Sequence, residues 1–168
     1  LKALRPAWSE ENENCATFNA ANTVLSRGVG IASGWYGCGN TSLPNPSTIK
    51  SGIRADGTVV LHQGAMDIGQ GANTVIAQIF ATALGVSIDK IKLIGADTDV
   101  TPDAGKTSAS RQTYVSGNAA RLSGSTLRTR ILDKLNVAQD SVLAIDAGFI
   151  HATDTSGKHT LSLAALSA

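Results

Sequence analysis

Apolar residues recur in two rhythms along this chain, and the change of rhythm marks its elements. Thr58-Val59-Val60-Leu61-His62-Gln63 is β-branched and apolar enough for a strand. Beyond it, Val75, Ile76, Ile79, Phe80, Ala83 and Leu84 recur at one-turn spacing, which predicts an amphipathic helix ending near Gly85. Ile91-Lys92-Leu93-Ile94-Gly95-Ala96 reads as a further strand, so residues 58–96 form a βαβ-like unit. Ahead of it, residues 48–55 pair with 58–63 as a hairpin, with Asp56-Gly57 as a two-residue turn. A second helix is expected from Gln112 to Leu135, with Leu122, Leu127, Ile131 and Leu135 on roughly one face.

The flanks are less regular. Residues 1–27 mix Pro6, Trp8 and an acidic cluster, and read as a linker with a short helix around 16–25. Gly28 to Gly39 holds five glycines in twelve residues. Alternation there favours a strand over 28–34 with one bare face, though the glycines can equally mark bulges. Residues 141–147, 149–152 and 160–163 read as three short strands, and 163–168 as the start of a helix capped by Ser162. The fold class is α+β, a mixed sheet with packed helices, with one domain over 28–168.

Composition excludes several partners. With 168 residues, 42% of them hydrophobic and 16% charged, the chain can bury a real core. A net charge of +1 with no basic stripe argues against nucleic acid and anionic membranes. No apolar run approaches the roughly 20 residues of a membrane span, and the N-terminus with Arg5, Glu10, Glu11 and Glu13 does not resemble a signal peptide, so a cytoplasmic setting is expected. Cys15 and Cys38 form no CxxC pair and read as free thiols. His62, His151 and His159 are scattered in expected strands and receive no chemistry; no side chain is assigned as a metal ligand.

Candidate chemistry sits at two helix starts. Asp67-Ile68-Gly69-Gln70-Gly71-Ala72-Asn73-Thr74 hands a strand over to a helix whose first amides lack partners, a place suited to phosphate. Gln70 adds an amide that both donates and accepts. The plainer reading is a turn made by glycines, with Asn73 or Thr74 as cap. Asp97 to Arg111 is a long polar segment whose hydroxyls and Arg111 suit an anion, and it too leads into a helix. There the plainer reading is helix capping by residues 107–110.

These two turns, about forty residues apart, together with Gly-Ile-Ala-Ser-Gly-Trp-Tyr-Gly ahead of them, resemble the molybdenum-binding large subunit of the xanthine dehydrogenase and aldehyde oxidoreductase family. Bacterial hydroxylases of N-heterocycles, such as nicotinate or xanthine dehydrogenases, look most similar, and the likeness spans roughly 28–168. The resemblance implies that Ile68, Gly69, Gln70 and Gly71 contact the pyranopterin cofactor, with Gln70 approaching the molybdenum ligands. It implies that Ser108, Ala109 and Ser110 also line the cofactor, Ala109 leaving room for substrate beside the metal. The implied cofactor is molybdopterin with molybdenum, either plain or as its cytosine dinucleotide. The implied partners are the remaining segments of the molybdenum subunit, iron–sulfur and FAD subunits or domains, and a small-molecule substrate.

Two departures qualify the likeness. Family members place a catalytic glutamate near the far C-terminal end and a phenylalanine–glycine loop with an arginine upstream, and neither has a counterpart here. No glutamate follows Glu13. The chain also begins at Leu1 rather than methionine, so a fragment or one subunit of a split enzyme is expected, inactive and without cofactor by itself. The alternative is a stand-alone phosphate- or nucleotide-binding module without redox activity.

Overall fold

The structure, a computed structural model, describes residues 2–166. The chain forms two compact units, Leu1–Tyr36 and Gly37–Ala168. In the first, helix α1 spans Arg5–Ala21, starting a full eleven residues before the expected 16. Pro6 lies in its first turn, where its missing N–H costs nothing. The side chain of Asn19 accepts from the Arg27 N–H at 2.7 Å and donates to the Arg27 carbonyl at 2.9 Å, and the Arg27 guanidinium lies 3.8 Å above the Phe18 ring. The strand expected over 28–34 does not form. Among the described residues no strand pairs with this segment, and an unpaired strand of glycines has no ladder to offset its backbone entropy.

Among the described residues, the second unit holds two three-stranded sheets and two long helices, an α+β arrangement. Strands β1 (Ile49–Ile53) and β2 (Val59–Gln63) pair antiparallel, and β3 (Ile91–Ile94) joins β2 in parallel, giving the order β1-β2-β3. The hairpin turns through three residues, Ala55 to Gly57, not the two expected. The Gly57 N–H donates to Arg54 and the Arg54 N–H to Thr58, both at 2.9 Å, and Gly57 takes φ +89°, so the loop is a turn followed by a left-handed glycine.

Helix α2 (Ala72–Leu84) connects β2 to β3, which makes β2-α2-β3 a true βαβ unit. Its Ile76, Phe80 and Leu84 are fully buried, as are Val59 and Leu61 of β2. Burying each such side chain contributes about 1.5–3 kcal/mol. Helix α3 (Gln112–Leu135) packs along α2. Ile131 and Leu132 are buried on it and Leu127 and Leu135 pack at the rim of the core, but Leu122 stays 56% exposed, outside the predicted face. The close contact is made instead by Gly117 and Gly124, and Ala120 between them in sequence is buried.

The second sheet is an antiparallel meander, β4 (Val142–Asp146), β5 (Phe149–Asp154) and β6 (Gly157–Ser162). Its Leu143, Ile145, Ile150 and Ala152 join the same core as Val59, Phe80 and Leu132. Ser162 ends β6 and a short 3-10 turn covers Ala164–Leu166; the rest of the helix expected over 163–168 lies outside the described residues. Among the described residues, no helix is long and apolar enough to cross a membrane.

Candidate functional site

Parallel strands send their chain ends to one edge. Since β2 and β3 run parallel with His62 beside Ile94, the segments that leave them, 64–71 and 95–111, start at the same edge of the sheet. The two helices that follow also run in one direction. Gly117 meets Ile79, Gly124 meets Ala83, and Arg128 Nη1 donates to the Leu84 carbonyl at 3.2 Å, so contacts advance together along both. The N-termini of α2 and α3 therefore lie side by side, with both positive dipole ends facing one way.

Close backbone contacts hold the two exit segments together. A Cβ on Gly64 would sit 2.2 Å from the Pro102 carbonyl oxygen, so only glycine fits there. Thr107 Oγ1 lies 3.1 Å from both the N–H and the carbonyl of Met66, accepting from the first and donating to the second. The Gly39 N–H donates to the Ala109 carbonyl at 2.6 Å, which ties the glycine-rich stretch at 37–39 to the same place. Buried Gln63 braces the first segment: its amide accepts from Ala65 N–H at 2.7 Å and donates to Ala65 O at 3.0 Å and to Asn73 Oδ1 at 2.5 Å.

The first turn is not an empty anion cradle. Asp67 Oδ1 accepts from Gly69 N–H at 2.9 Å and Gly71 N–H at 3.2 Å, and Oδ2 accepts from Asn73 N–H at 3.1 Å. These bonds, the Asn73 amide foremost, then Gly69 and, more weakly, Gly71, hold the Asp67 carboxyl below its ordinary value. Neither Asn73 nor Thr74 caps the helix; the N-cap is Gly71 in the left-handed region, and the capping charge comes from Asp67. The signal was present in the sequence, since an aspartate two residues before a glycine is the Asx-turn pattern. Gln70 is exposed and folded back, Oε1 accepting from Ile68 N–H at 2.6 Å and Nε2 donating to Met66 O at 3.0 Å. Ile68 is 76% exposed, and Gly69 beside it has φ +106° with open space where a side chain would stand.

The second turn is the open one. Ala109 and Ser110 both adopt left-handed φ, +53° and +55°, which swings the chain into α3. Arg111 is the N-cap and makes no side-chain cap bond. The first helical bond runs from Val115 N–H to Arg111 O at 2.8 Å, so the amides of Gln112, Thr113 and Tyr114 precede the helical ladder. Ser108 and Ser110 stand exposed around them and Ala109 is half-buried. The capping expected of residues 107–110 is thus not what Thr107 does; its hydroxyl goes to Met66.

Arg111 does not serve an exposed anion, against expectation. It is 2% exposed, and its guanidinium donates from Nη1 to Ala104 O at 3.0 Å and Lys106 O at 2.5 Å, and from Nη2 to Pro46 O at 3.1 Å. It is the strut that shapes the 102–110 segment. Gln112 adds a second one, donating to Lys106 O at 3.0 Å and accepting from the Ser116 hydroxyl. Both sulfhydryls, Cys15 and Cys38, are free, and among the described residues no group of three His, Cys, Asp or Glu side chains could hold a metal ion.

The seven predicted residues thus fall in two turns that the structure brings together at one end of a parallel helix pair. A family model described as the molybdopterin cofactor-binding domain matches residues 3–168. A putative xanthine dehydrogenase molybdenum-binding subunit of Escherichia coli is 40% identical over 131 residues, covering 74% of this chain and 16% of that protein. The aldehyde oxidoreductase of Megalodesulfovibrio gigas is 35% identical over 125 residues, covering 73% of this chain and 14% of that one. In three dimensions, the aldehyde oxidoreductase of Desulfovibrio desulfuricans superposes with a TM-score of 0.55 at 29% identity, over 80% of this chain and 14% of that one. The chain therefore spans about a sixth or less of the length of these relatives. On that match along nearly its whole length, the chain belongs to the molybdopterin cofactor-binding domain family of the xanthine dehydrogenase and aldehyde oxidoreductase proteins.

Proposed function

We propose that residues 28–168 supply part of the molybdopterin site of a molybdenum hydroxylase, which adds a water-derived oxygen to an electron-poor carbon of an aldehyde or N-heterocycle. The observation that carries this reading is the clasp of Met66 by Thr107, which sets the turn 68–71 against the turn 108–110 at two helix N-termini. The relatives named a molybdenum-binding subunit and an aldehyde oxidoreductase support the reaction class. They give no support to a stand-alone phosphate module.

The donor set fits a phosphorylated pterin. Ser108 and Ser110 offer exposed hydroxyls, and Gln112, Thr113 and Tyr114 offer amides at a helix start, the right partners for a phosphate. Gln70 offers an exposed carboxamide for a polar edge of the ring system, once it turns away from its own loop. Gly69 and Gly71 keep the backbone bare, so a flat group can approach closely. When bound, the cofactor supplies the redox chemistry and the ligands of the metal. The protein's part here is to bind and orient it, and Ala109, carrying only a methyl group, leaves space for substrate. The base that accepts a proton, the rest of the pocket, and the iron–sulfur and FAD centres belong in this reading to other segments or subunits. The two free thiols support a reducing, cytoplasmic setting. The cytosine dinucleotide form of the cofactor is tested by the mass of the nucleotide released on extraction.

Gln70→Leu and Ala109→Leu in the full-length enzyme test the reading. Gln70→Leu leaves a polar cofactor atom without its partner, costing about 1–3 kcal/mol, so molybdenum content and kcat/KM fall together. Ala109→Leu keeps molybdenum and loses kcat/KM, because added bulk meets the substrate. If both variants merely lower Tm in parallel, the residues serve the fold and the reading fails. Wild-type kcat/KM in Ala109→Leu removes the role given to that residue.

A further inference from the structure

We propose that Thr107 is a positioning residue that lets Gln70 turn outward without unbinding the loop that carries it. The inference rests on the reading of Gln70 given above. Thr107 is not itself among the residues that face a ligand, because its hydroxyl has no capacity left. A hydroxyl has one proton and two lone pairs. Oγ1 donates to Met66 O at 3.1 Å, accepts from Met66 N–H at 3.1 Å and accepts from Gln112 Nε2 at 3.4 Å.

The Met66 carbonyl is the shared point. It takes Gln70 Nε2 at 3.0 Å on one side and Thr107 Oγ1 at 3.1 Å on the other. When Gln70 swings out, Thr107 still satisfies that carbonyl. The other bond lost, from Ile68 N–H to Gln70 Oε1, frees an amide on a residue that is 76% exposed, where water replaces it. The carboxylate of Asp67 goes on holding Gly69, Gly71 and Asn73 throughout. Gln70 can therefore change partners at small cost while the backbone beneath it stays put. Gln112 passes the restraint into α3 through its bond to Thr107 and its acceptance of the Ser116 hydroxyl.

Thr107→Val keeps the shape of the side chain and removes the hydroxyl, and Thr107→Ser keeps the hydroxyl. In the full-length, cofactor-loaded enzyme, Thr107→Val should speed hydrogen–deuterium exchange over residues 64–71 by about tenfold, through the loss of the two modest hydrogen bonds to Met66. Molybdenum should leave faster on dialysis, and Thr107→Ser should restore both properties. Combined with Gln70→Leu, Thr107→Val should cause no further loss of molybdenum beyond Gln70→Leu alone, since it acts through that side chain. Faster exchange with unchanged molybdenum retention overturns the positioning role, as does failure of Thr107→Ser to rescue, or an additive loss in the double variant. Gln70→Leu measured alone separates the two ideas: if it too retains molybdenum, the functional reading fails, whereas if it loses molybdenum and Thr107→Val does not, only this inference does.

Discussion

The Asp67 carboxylate reaches across the turn to the Asn73 N–H, Oδ2 to nitrogen 3.1 Å, so the positive end of α2 is already met by an anion of the chain's own. Two glycines that read as room for a ligand are, in the first instance, the amides that grip this carboxylate. On the proposed reading, this leaves an incoming group the side of the turn that carries Gln70, and the uncapped start of α3.

This relationship makes the turn sensitive to acid. The folded Asp67 carboxyl is held below its ordinary value by the Asn73 amide first, so its ionised form is favoured by folding. The stabilisation is fully present above about pH 4, where the unfolded group is also ionised, and disappears as pH falls through the lower folded value. Asp67→Asn should lower Tm at neutral pH and flatten the acid limb of the Tm–pH curve between about pH 2 and 5. Asp56 and Asp154 are lowered by similar bonds, to Thr58 and Ser156, so some acid dependence should remain. An acid limb unchanged from wild type would show that the Asp67 bonds do not stabilise the folded state.

Arg111 should be intolerant of lysine. A compact ammonium cannot reach the three carbonyls of Ala104, Lys106 and Pro46 that the planar fork serves together, which leaves buried acceptors unpaired. Arg111→Lys is expected to cost about 2–4 kcal/mol in a denaturant titration. Segment 102–110 should become more susceptible to protease. A loss under about 0.5 kcal/mol would place Arg111 among ordinary surface substitutions and contradict its role as a strut.

Gly117 and Gly124 lie on the same face of α3 and should respond differently to alanine. At Gly124 a Cβ would stand 2.8 Å from the Phe80 carbonyl oxygen, 2.9 Å from Ala83 Cβ and 3.2 Å from the Leu84 nitrogen, mostly backbone that cannot give way. The resulting overpacking should cost about 1–3 kcal/mol and outweigh the roughly 1 kcal/mol gained in helix propensity. At Gly117 the single close atom is Ile79 Cδ1 at 2.9 Å, the tip of a flexible side chain. Gly117→Ala should therefore be near neutral in thermal melting. Equal losses at both positions would mean that backbone contact does not set the spacing of α2 and α3.

Local order was readable in the sequence where it depends on neighbours along the chain. The 3.6-residue rhythm of Ile76, Phe80 and Leu84 defines α2, and its bounds of 72 and 84 agree with that rhythm because Gly71 and Gly85 at either end both take left-handed φ. The motifs Gly69-Gln70-Gly71 and Ser108-Ala109-Ser110 likewise pointed to the family that the whole-chain match shows. Tertiary structure decided what those residues face. Whether 28–34 forms a strand depended on a pairing partner, and Leu122 lost its place in the core because Gly117 and Gly124 bring α2 closer on another face. Arg111 read as a surface cation and became a buried strut, since the carbonyls of Pro46, Ala104 and Lys106 meet only when the chain has folded. Periodicity reports which way a side chain points from its own element, whereas hydrogen-bond partners tens of residues away, such as Met66 and Thr107, exist only once the parallel strands have brought both exit segments to one edge.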